Sequence, residues 1–388
     1  MKILAIETSC DDTGIAILEV LPSGEFKVLS NVVSSQTALG KKYGGVFPAM
    51  AKRAHQKNLV PTFIEALKKA KLLKTGLSQN FTAVKKTDIS EILEREPELE
   101  KKLVSFLKKY KKPDIDLISV TNGPGLEPCL WVGVNFAKAI SSFWNIPIVA
   151  VNHIESHILV NFLENSEIKF PAIALVVSGG HTQIILVKSI GKYEILGETR
   201  DDAAGECFDK CAKILGLGYP GGPIISKLAE KAQRNSSYVG LNTKLPRPMI
   251  GTKDYDFSFS GLKTAVLYKW RDLDKKDLPA LPRRALQAEM ASEVQQAIID
   301  VLIKKTVKAV KDYEAKTLIL GGGVSANREL RKQFKEALNT LGQVEVFVPI
   351  PNLSTDNALM TAITGFYHKK SAKSDLTQLT ADGNLRIE

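Results

Sequence analysis

Cysteine is scarce in this sequence of 388 residues, which carries four thiols, at Cys10, Cys129, Cys207 and Cys211. Four scattered thiols are too few for a disulfide framework in a chain of this length, so we expect a reduced, cytoplasmic protein. Long apolar runs are also missing, since no stretch approaches the roughly 18 apolar residues that cross a bilayer. The opening residues MKILAIETSC place Glu7 inside the apolar segment. We therefore expect neither a membrane span nor a signal peptide.

Two familiar nucleotide-binding motifs are absent as well. Neither GxxxxGK[ST] nor GxGxxG occurs at an expected strand-to-helix junction, which argues against a P-loop or a Rossmann dinucleotide site. Three other glycine-rich turns are present, over residues 178–181, 218–223 and 321–327. Glycine lets backbone N–H groups close on phosphate oxygens. Each turn alone is more often only a turn, but three of them in one α/β chain favour a nucleotide crevice.

The composition is that of a globular protein with a basic excess. Apolar residues make up 44% and charged residues 24%, which excludes a mainly disordered, collagen-like or coiled-coil chain. Lys and Arg number 53 against 42 Asp and Glu, giving a net charge of +11. This balance favours an anionic partner such as nucleic acid or nucleotide, although surface lysine also serves solubility. The pairs Lys41-Lys42 and Lys52-Arg53 could contact the phosphates of a nucleic acid or form a solvated face.

Two β-hairpins with the same pattern are predicted, one over residues 2–20 and one over residues 172–187. Their resemblance suggests two related halves. Between and after them, strands alternate with helices, which indicates α/β layers with largely parallel sheets. The charge-dense stretch 76–113 has apolar residues near helical spacing. We interpret it as a solvated helical insertion, with a nucleic-acid or partner-protein arm as the alternative.

The segment His153-Ile154-Glu155-Ser156-His157 is the first candidate for chemistry. On a helix the two imidazoles lie at i and i+4 on one face and can share a metal, although a structural or exposed pair is the alternative. Glu155 points about 200° away from His153 on such a helix, unlike the base of an HExxH zinc protease. Asp356, at a predicted helix start, is a candidate third ligand or an ordinary helix-capping carboxylate.

An acidic segment over residues 201–210 leads into another predicted helix. Its carboxylates either complement the helix dipole or contact ligand hydroxyls or a metal. Cys207 and Cys211 lie one turn apart, but two thiols do not complete a zinc tetrahedron, so we interpret both as helix-packing residues. His55 and His368 are predicted to be surface residues.

Nine segments together resemble one family, the TsaD family of tRNA-modifying transferases, and within it the bacterial branch. They run in order across nearly the whole chain, and their combination is far more specific than any single glycine motif. The segments are IETSCDDTGIAI, YGGVFPAMAKRAH, NGPGL, HIESH, LVVSGGHTQIILV, DDAAGECFDKCAKILGLGYPGGP, FSFSGLKTA, GGGVSANRELR and STDNALM.

The resemblance implies an α/β fold of the actin-like ATPase (ASKHA) class, with two RNase H-like lobes around a central crevice. We expect an N-terminal lobe over 1–150 with the charged helical insertion at about 76–113. A second lobe is expected over 151–350, and a C-terminal helix over 351–388 that returns to the first lobe.

The resemblance also implies a reaction, in which threonylcarbamoyl-AMP gives its threonylcarbamoyl group to N6 of the tRNA adenosine immediately 3′ of the anticodon. The tRNAs are those that read codons beginning with A, and AMP leaves. Implied partners are tRNA, a TsaB-like protein and a TsaE-like ATPase. Two alternatives remain: a metalloprotease, which HIESH superficially suits, and an actin-like ATPase or nucleotide-binding regulator with a structural metal.

Site residues follow from the same resemblance. The implied ligands of one Fe2+ or Zn2+ ion are His153, His157 and Asp356. The implied substrate-binding strand and turn comprise Val176, Val177, Ser178, Gly179 and Gly180. The implied nucleoside contacts are Asp209, Gly222 and Asn327. Asp11, at the tip of the first hairpin, is the expected carboxylate nearest the attacking amine.

Overall fold

The computed structural model describes residues 1–76, 83–164, 168–234, 244–275, 283–339, 342, 344–373 and 375–388. The chain divides into two compact units. The first comprises Met1–Leu39, Val46–Ser166 and Asp356–Ile387, and the second comprises Gly40–Gly45, Glu167–Thr355 and Glu388. The lobe boundaries at 150 and 350 stay a prediction, and these units instead assign the HIESH segment to the first unit.

Each unit contains one five-stranded sheet. The strands of the first are β1 Lys2–Glu7, β2 Thr13–Val20, β3 Phe26–Ser34, β4 Leu117–Gly123 and β5 Ile148–Asn152, in the order β3-β2-β1-β4-β5. The strands of the second are β6 Ala172–Val177, β7 Thr182–Ser189, β8 Lys192–Glu198, β9 Thr317–Gly321 and β10 Glu345–Phe347, in the order β10-β9-β6-β7-β8. Matching β1–β5 with β6–β10 gives the same strand order, which supports the two related halves inferred from the hairpins.

Both sheets are mixed, so the expectation of largely parallel sheets was wrong. In the first, β1 and β3 run antiparallel to β2, while β4 runs parallel to β1 and β5 to β4. The second sheet repeats this pattern. Short turns join each set of three consecutive strands, and a short turn can only join antiparallel neighbours. The third strand of each set was not predicted.

Helices cover the sheets and connect the parallel strands. They are α1 Thr37–Tyr43, α2 Pro48–Lys69, α3 Ala83–Ile92, α4 Pro97–Lys109, α5 Glu127–Trp144, α6 His153–Leu159, α7 Ala204–Ile214, α8 Gly221–Arg234, α9 Ser260–Lys275, α10 Arg283–Asp312, α11 Arg328–Asn339, α12 Pro351–Ser354 and α13 Ala358–Tyr367. The alternation of strands with helices is confirmed, and the helices predicted at HIESH and after the acidic segment 201–210 are confirmed as α6 and α7. Within the described residues, no helix has both the length and the apolar character that a bilayer crossing requires.

The charged stretch is helical, as predicted, but it is not a solvated appendage. Residues 77–82 lie outside the described part, and α3 and α4 follow them. Leu99, Leu103 and Leu107 are fully buried along one face of α4 and belong to the apolar core of the first unit, which also contains Phe63. This spacing of four residues places apolar side chains on one face while the charges occupy the other.

The NGPGL motif accommodates the C-terminal segment of the chain. The Asp382 amide donates to Asn122 O at 2.8 Å, and the Gly125 amide donates to Gly383 O at 3.1 Å. Gly123 has φ of +154°, and a Cβ there would overlap the carbonyl oxygen of Asp382. Glycine is therefore required because the returning chain passes directly over the turn.

Candidate functional site

The two histidines of HIESH lie side by side at the start of α6. Asn152, the last residue of β5, caps this helix: its side-chain oxygen accepts from Ile154 N at 2.8 Å and Glu155 N at 3.2 Å. The cap fixes where the first turn begins, and the spacing of four residues then places the His157 ring edge-to-face with that of His153. Their ring centroids are 4.6 Å apart, and both side chains are buried.

Asp356 joins this pair from a distant part of the sequence. It directly precedes Asn357, which caps α13 by accepting from the amides of Leu359 and Met360. One carboxylate oxygen, Oδ1, lies 3.2 Å from His157 Nε2 and 3.7 Å from His153 Nε2. The ligand atoms of the three residues all lie within 4.8 Å of one another. The predicted triad is thus brought together in a group that could hold a metal ion.

The bonding of His157 fits such an ion. Both its ring nitrogens are buried, and Nε2 faces the Asp356 carboxylate, whose Oδ1 lies 3.2 Å away. An imidazole nitrogen and a carboxylate oxygen at this separation are placed as two ligands of one ion would be. Two imidazoles and a carboxylate suit Zn2+ or Fe2+, with further positions open to water or substrate.

The carboxylate of Glu7, at the end of β1, lies on the Nδ1 side of the His153 ring. It is fully buried, accepts from Thr121 Oγ1 at 2.5 Å and from Ser9 N at 2.7 Å, and lies 3.5 Å from His153 Nδ1. A carboxylate on the outer nitrogen orients a ligating imidazole and increases its basicity. The signal in the sequence was a lone acidic residue in an apolar strand, and the sequence analysis did not use it for the site.

The charges of this cluster set the protonation of its members. Burial opposes protonation of His153, but the negative charges of Glu7 and Asp356 outweigh it and raise the pKa of His153 to about 9. Burial lowers the pKa of His157, against the opposing effect of Asp356. His157 is therefore neutral at physiological pH, which is the form that binds metals.

Replacing Glu7 by glutamine is expected to raise the dissociation constant for Zn2+ about 10- to 100-fold, the usual cost of losing an outer carboxylate. Glutamine keeps the shape and can accept one of the two bonds, from Thr121 Oγ1 or from Ser9 N, so the fold should survive. Competition with a chromogenic chelator measures the affinity. Glu19→Gln, a partly exposed carboxylate of β2 paired with Lys27, is the matched control. Equal affinities for Glu7→Gln and the control would contradict the assigned role.

Glu155 takes no part in the triad. Its carboxylate lies 2.8 Å from His368 Nε2, beyond the end of α13. The sequence-based geometry is confirmed here, because the residue between the two histidines points away from them. His368 is half-buried in this pair and is not a simple surface residue.

The tip of the first hairpin carries Asp11 and Asp12. Burial raises the pKa of Asp11, the neighbouring Cys10 thiol acts in the opposite direction, and the charge of Asp356 raises it again. Asp12 accepts from the Gln36 amide at 3.1 Å. Burial raises the pKa of Asp12 to about 6, opposed by a hydrogen bond from Ser35 and strengthened by Asp11. The shared influence of Asp356 shows that the acidic tip and the triad form one electrostatic cluster.

The predicted substrate turn follows β6 in the second unit. The Ser178 amide donates to His181 O at 2.8 Å, and Ser178 Oγ accepts from His181 N at 3.1 Å. A Cβ on Gly179 or Gly180 would meet nothing within 4 Å. The turn therefore presents its backbone to open space, whereas the side chains of Val176 and Val177 are buried in the core.

The predicted nucleoside contacts have structural partners. Asp209 Oδ1 accepts from the Gly221 amide at 2.6 Å at the start of α8. The side-chain oxygen of Asn327 accepts from Leu330 N at 3.0 Å, and its amide donates to Gln295 at 2.8 Å. A Cβ on Gly222 would approach only Phe208, at 4.0 Å. The ligand roles of Asp209, Gly222 and Asn327 stay predictions.

Asp201 caps a different helix from the one that its position in sequence suggested. Its Oδ1 accepts from the amides of Phe259 and Ser260 at 2.8 and 3.1 Å, and its Oδ2 accepts from the hydroxyls of Ser258 and Ser260 at 2.6 Å each. These bonds join the acidic segment to the start of α9. Burial opposes ionisation, but the hydrogen bonds outweigh it and lower the pKa of Asp201 to about 2.

Asp201→Asn is expected to lower the free energy of unfolding by about 1 kcal/mol at pH 6, because the amide oxygen can keep the bonds to the Phe259 and Ser260 amides but the charge-assisted bonds from the two serine hydroxyls to Oδ2 are lost. Because the pKa of Asp201 falls on folding, its stabilisation is complete above pH 4 and is lost as the pH falls toward 2. The difference in free energy of unfolding between wild type and Asp201→Asn should therefore decrease as the pH falls from 4 toward 2. Urea unfolding at several pH values measures it, with exposed Glu206→Gln as the control. A difference independent of pH would refute the assignment.

Cys207 and Cys211 are buried on α7 with their sulfur atoms 3.9 Å apart, as expected for helix-packing thiols. His55, in contrast, was predicted to lie on the surface and is fully buried on α2. The segment YGGVFPAMAKRAH that contains it belongs to the family resemblance, and this was the available signal for a role inside the protein.

Comparisons with known proteins agree with this geometry. A family model described as TsaD, tRNA N6-adenosine threonylcarbamoyltransferase, matches residues 27–79 and 99–363. Curated proteins of that name from Thermosipho africanus and Thermosipho melanesiensis are 42% and 43% identical to this chain, over 100% of both partners in each case. The unmatched residues 80–98 lie inside the charged segment.

A solved structure supports the fold alone. Full-length HypF, in a phosphate- and nucleotide-bound form, superposes with a TM-score of 0.54 at 12% identity, covering 95% of this chain and 46% of its own. Together with the repeated strand order, this likeness identifies an actin-like fold. The family match over most of the chain and the full-length identity above 40% establish that this chain belongs to the TsaD family.

Proposed function

We propose that this chain transfers the threonylcarbamoyl group of threonylcarbamoyl-AMP to N6 of the tRNA adenosine immediately 3′ of the anticodon. The tRNAs are those that read codons beginning with A. The observation that carries the proposal is the convergence of His153, His157 and Asp356 in a chain of this family. The products are threonylcarbamoyladenosine in tRNA and AMP.

The reaction is an acyl transfer with one proton to remove. The adenosine N6 attacks the carbamoyl carbon, a new C–N bond forms, and the bond from that carbon to the phosphate oxygen of AMP breaks. An exocyclic adenine amine is a poor nucleophile, so a base that takes its proton during attack assists the reaction. We assign this role to Asp11. Its raised pKa makes its carboxylate a stronger base than that of an ordinary aspartate.

His153, His157 and Asp356 would hold one Fe2+ or Zn2+ ion. When bound, such an ion supplies a positive centre that polarises or positions phosphate and carbamoyl oxygens. Glu7 would keep the outer nitrogen of His153 engaged so that Nε2 faces the ion. The 3.2 Å approach of Asp356 Oδ1 to the buried Nε2 of His157 supports this part of the proposal.

The second unit would bind the nucleotide part of the donor. The open backbone of Gly179 and Gly180 suits phosphate oxygens, and Ser178, whose amide donates to His181 O, would hold the turn in place. Because the side chains of Val176 and Val177 are buried, these two residues would contribute backbone groups only. Asp209, Gly222 and Asn327 would contact the nucleoside.

Partners follow from the family. We propose that the chain works in the cytoplasm with tRNA, a TsaB-like protein and a TsaE-like ATPase. The net charge of +11 favours association with tRNA phosphates. Lys52 lies 3.6 Å from buried Glu96 in an ion pair, which leaves Lys41, Lys42 and Arg53 as better candidates for such contacts.

Product identification tests the proposal. The purified chain, with and without its partners, is incubated with threonylcarbamoyl-AMP and unmodified tRNA, and the digested nucleosides are identified by mass spectrometry. Threonylcarbamoyladenosine and AMP are expected. Cleaved peptide would favour a protease, and ADP with phosphate would favour an ATPase. Absence of modified nucleoside with all partners and either metal would refute the proposed function.

A further inference from the structure

The His55 side chain contacts both ends of the acidic tip of the first hairpin, which carries Asp11 and Asp12. It lies on α2, is fully buried, and uses both ring nitrogens. Nδ1 is 2.8 Å from Thr13 Oγ1, and Nε2 is 3.0 Å from the carbonyl oxygen of Cys10. The ring therefore bridges the two residues that flank Asp11 and Asp12.

The partners fix which nitrogen carries the proton. A carbonyl oxygen can only accept, so Nε2–H donates to Cys10 O. Nδ1 of the neutral ring then accepts from the Thr13 hydroxyl. Burial lowers the pKa of His55, which keeps the ring in this neutral form. With both nitrogens used, His55 has no atom left to bind a metal.

Two further bonds hold the same turn. The amide of Leu126, the last residue of the NGPGL motif, donates to Ser9 O at 2.7 Å, and the Gln36 amide donates to Asp12 Oδ1 at 3.1 Å. His55 supplies the bonds to the backbone and side chain on either side of Asp11. Without the ring, the Cys10 carbonyl and the Thr13 hydroxyl would lose their partner, and the turn would gain freedom around Asp11.

We propose that His55 is a positioning residue for the transfer reaction: it holds the turn so that the carboxylate of Asp11 meets the attacking amine. This inference rests on the proposed function. Misplacing a reacting group by about 1 Å can lower the rate about 100-fold. A residue that holds the Asp11 carboxylate in position can therefore have a large effect on the rate. The role differs from metal binding and from proton transfer, because the ring touches neither reactant.

A double-variant cycle tests whether His55 acts through Asp11. His55→Ala, Asp11→Asn and the double variant are compared in single-turnover transfer of threonylcarbamoyl to tRNA. His55→Ala is expected to lower the rate at least tenfold, with tRNA affinity changed less than twofold. In the Asp11→Asn background the same change should lower the rate less than twofold. Equal fold-losses in both backgrounds, or no loss in either, would overturn the proposal.

Two other variants guard against a general folding defect. Thr13→Val keeps the side-chain shape but removes the hydroxyl that His55 accepts from, and a several-fold loss in the same direction is expected. Thr62→Ala changes a buried polar residue two helical turns further along α2, and it should leave the rate unchanged. A normal rate in Thr13→Val, or a loss in Thr62→Ala equal to that in His55→Ala, would count against positioning.

Hydrogen exchange provides a readout that does not depend on the reaction. Amide exchange over residues 8–14 should accelerate at least tenfold in His55→Ala relative to wild type and to Thr62→Ala, while exchange in β6 stays the same. Unchanged exchange at the tip would overturn the proposal even if activity fell. Failure of wild type to modify tRNA would instead refute the proposed function, and the exchange result would still decide whether His55 holds the turn.

Discussion

Replacing His157 by alanine is expected to abolish tight metal binding and to lower threonylcarbamoyl transfer by more than 100-fold. Loss of an outer-shell partner costs about 10- to 100-fold, and loss of a ligand itself should cost more. The fold should remain, because among the described residues the imidazole bonds no backbone group and its polar neighbour is the carboxylate of Asp356. Metal content after dialysis, measured by elemental analysis, and single-turnover transfer test both parts.

The control for this variant is His368→Gln, which changes another histidine of the same unit but keeps a donor for Glu155. Its metal content and transfer rate should match those of wild type. A His157→Ala protein that kept stoichiometric metal would show that the triad is not the metal site. Full transfer by metal-free His157→Ala would show that the reaction does not need the metal.

The features of the fold that could be predicted were those set by local sequence. β1, β2, β6 and β7 are short apolar segments that flank polar turns, and their hairpins are confirmed. The helix at HIESH could also be predicted, as could the direction in which Glu155 points, because both depend on a periodicity within five residues. The third strands, β3 and β8, have weaker patterns with exposed charged residues, and they were missed.

The features that could not be derived from local sequence depend on tertiary contacts. Asp356 lies almost 200 residues beyond His157, and only the packing of α13 brings it to α6. The buried face of α4 was masked by the lysines and glutamates between its leucines. His55 follows Lys52 and Arg53 in sequence, a pattern that favours exposure, whereas its ring lies inside the unit and contacts both sides of the acidic tip.

Asp11→Asn is expected to lower the single-turnover rate of transfer by about 10²- to 10⁴-fold, the usual contribution of a positioned general base. Asparagine has the same shape but cannot take the proton from the adenosine amine. Metal content and tRNA affinity should match those of wild type, because Asp11 is not one of the three ligands. Quench-flow detection of modified nucleoside measures the rate, and filter binding measures the affinity.

The variant Asp12→Asn tests whether transfer requires the carboxylate of Asp11 itself or only negative charge at the tip of the first hairpin. Asp12 already accepts from the Gln36 amide, a bond that the asparagine oxygen can preserve. We therefore expect a much smaller loss, within about tenfold, for this neighbour of the same type and burial. Equal losses in both variants would indicate that the two charges act together on a cationic centre. Full turnover by Asp11→Asn would instead require another group, such as the phosphate of the donor, to take the proton.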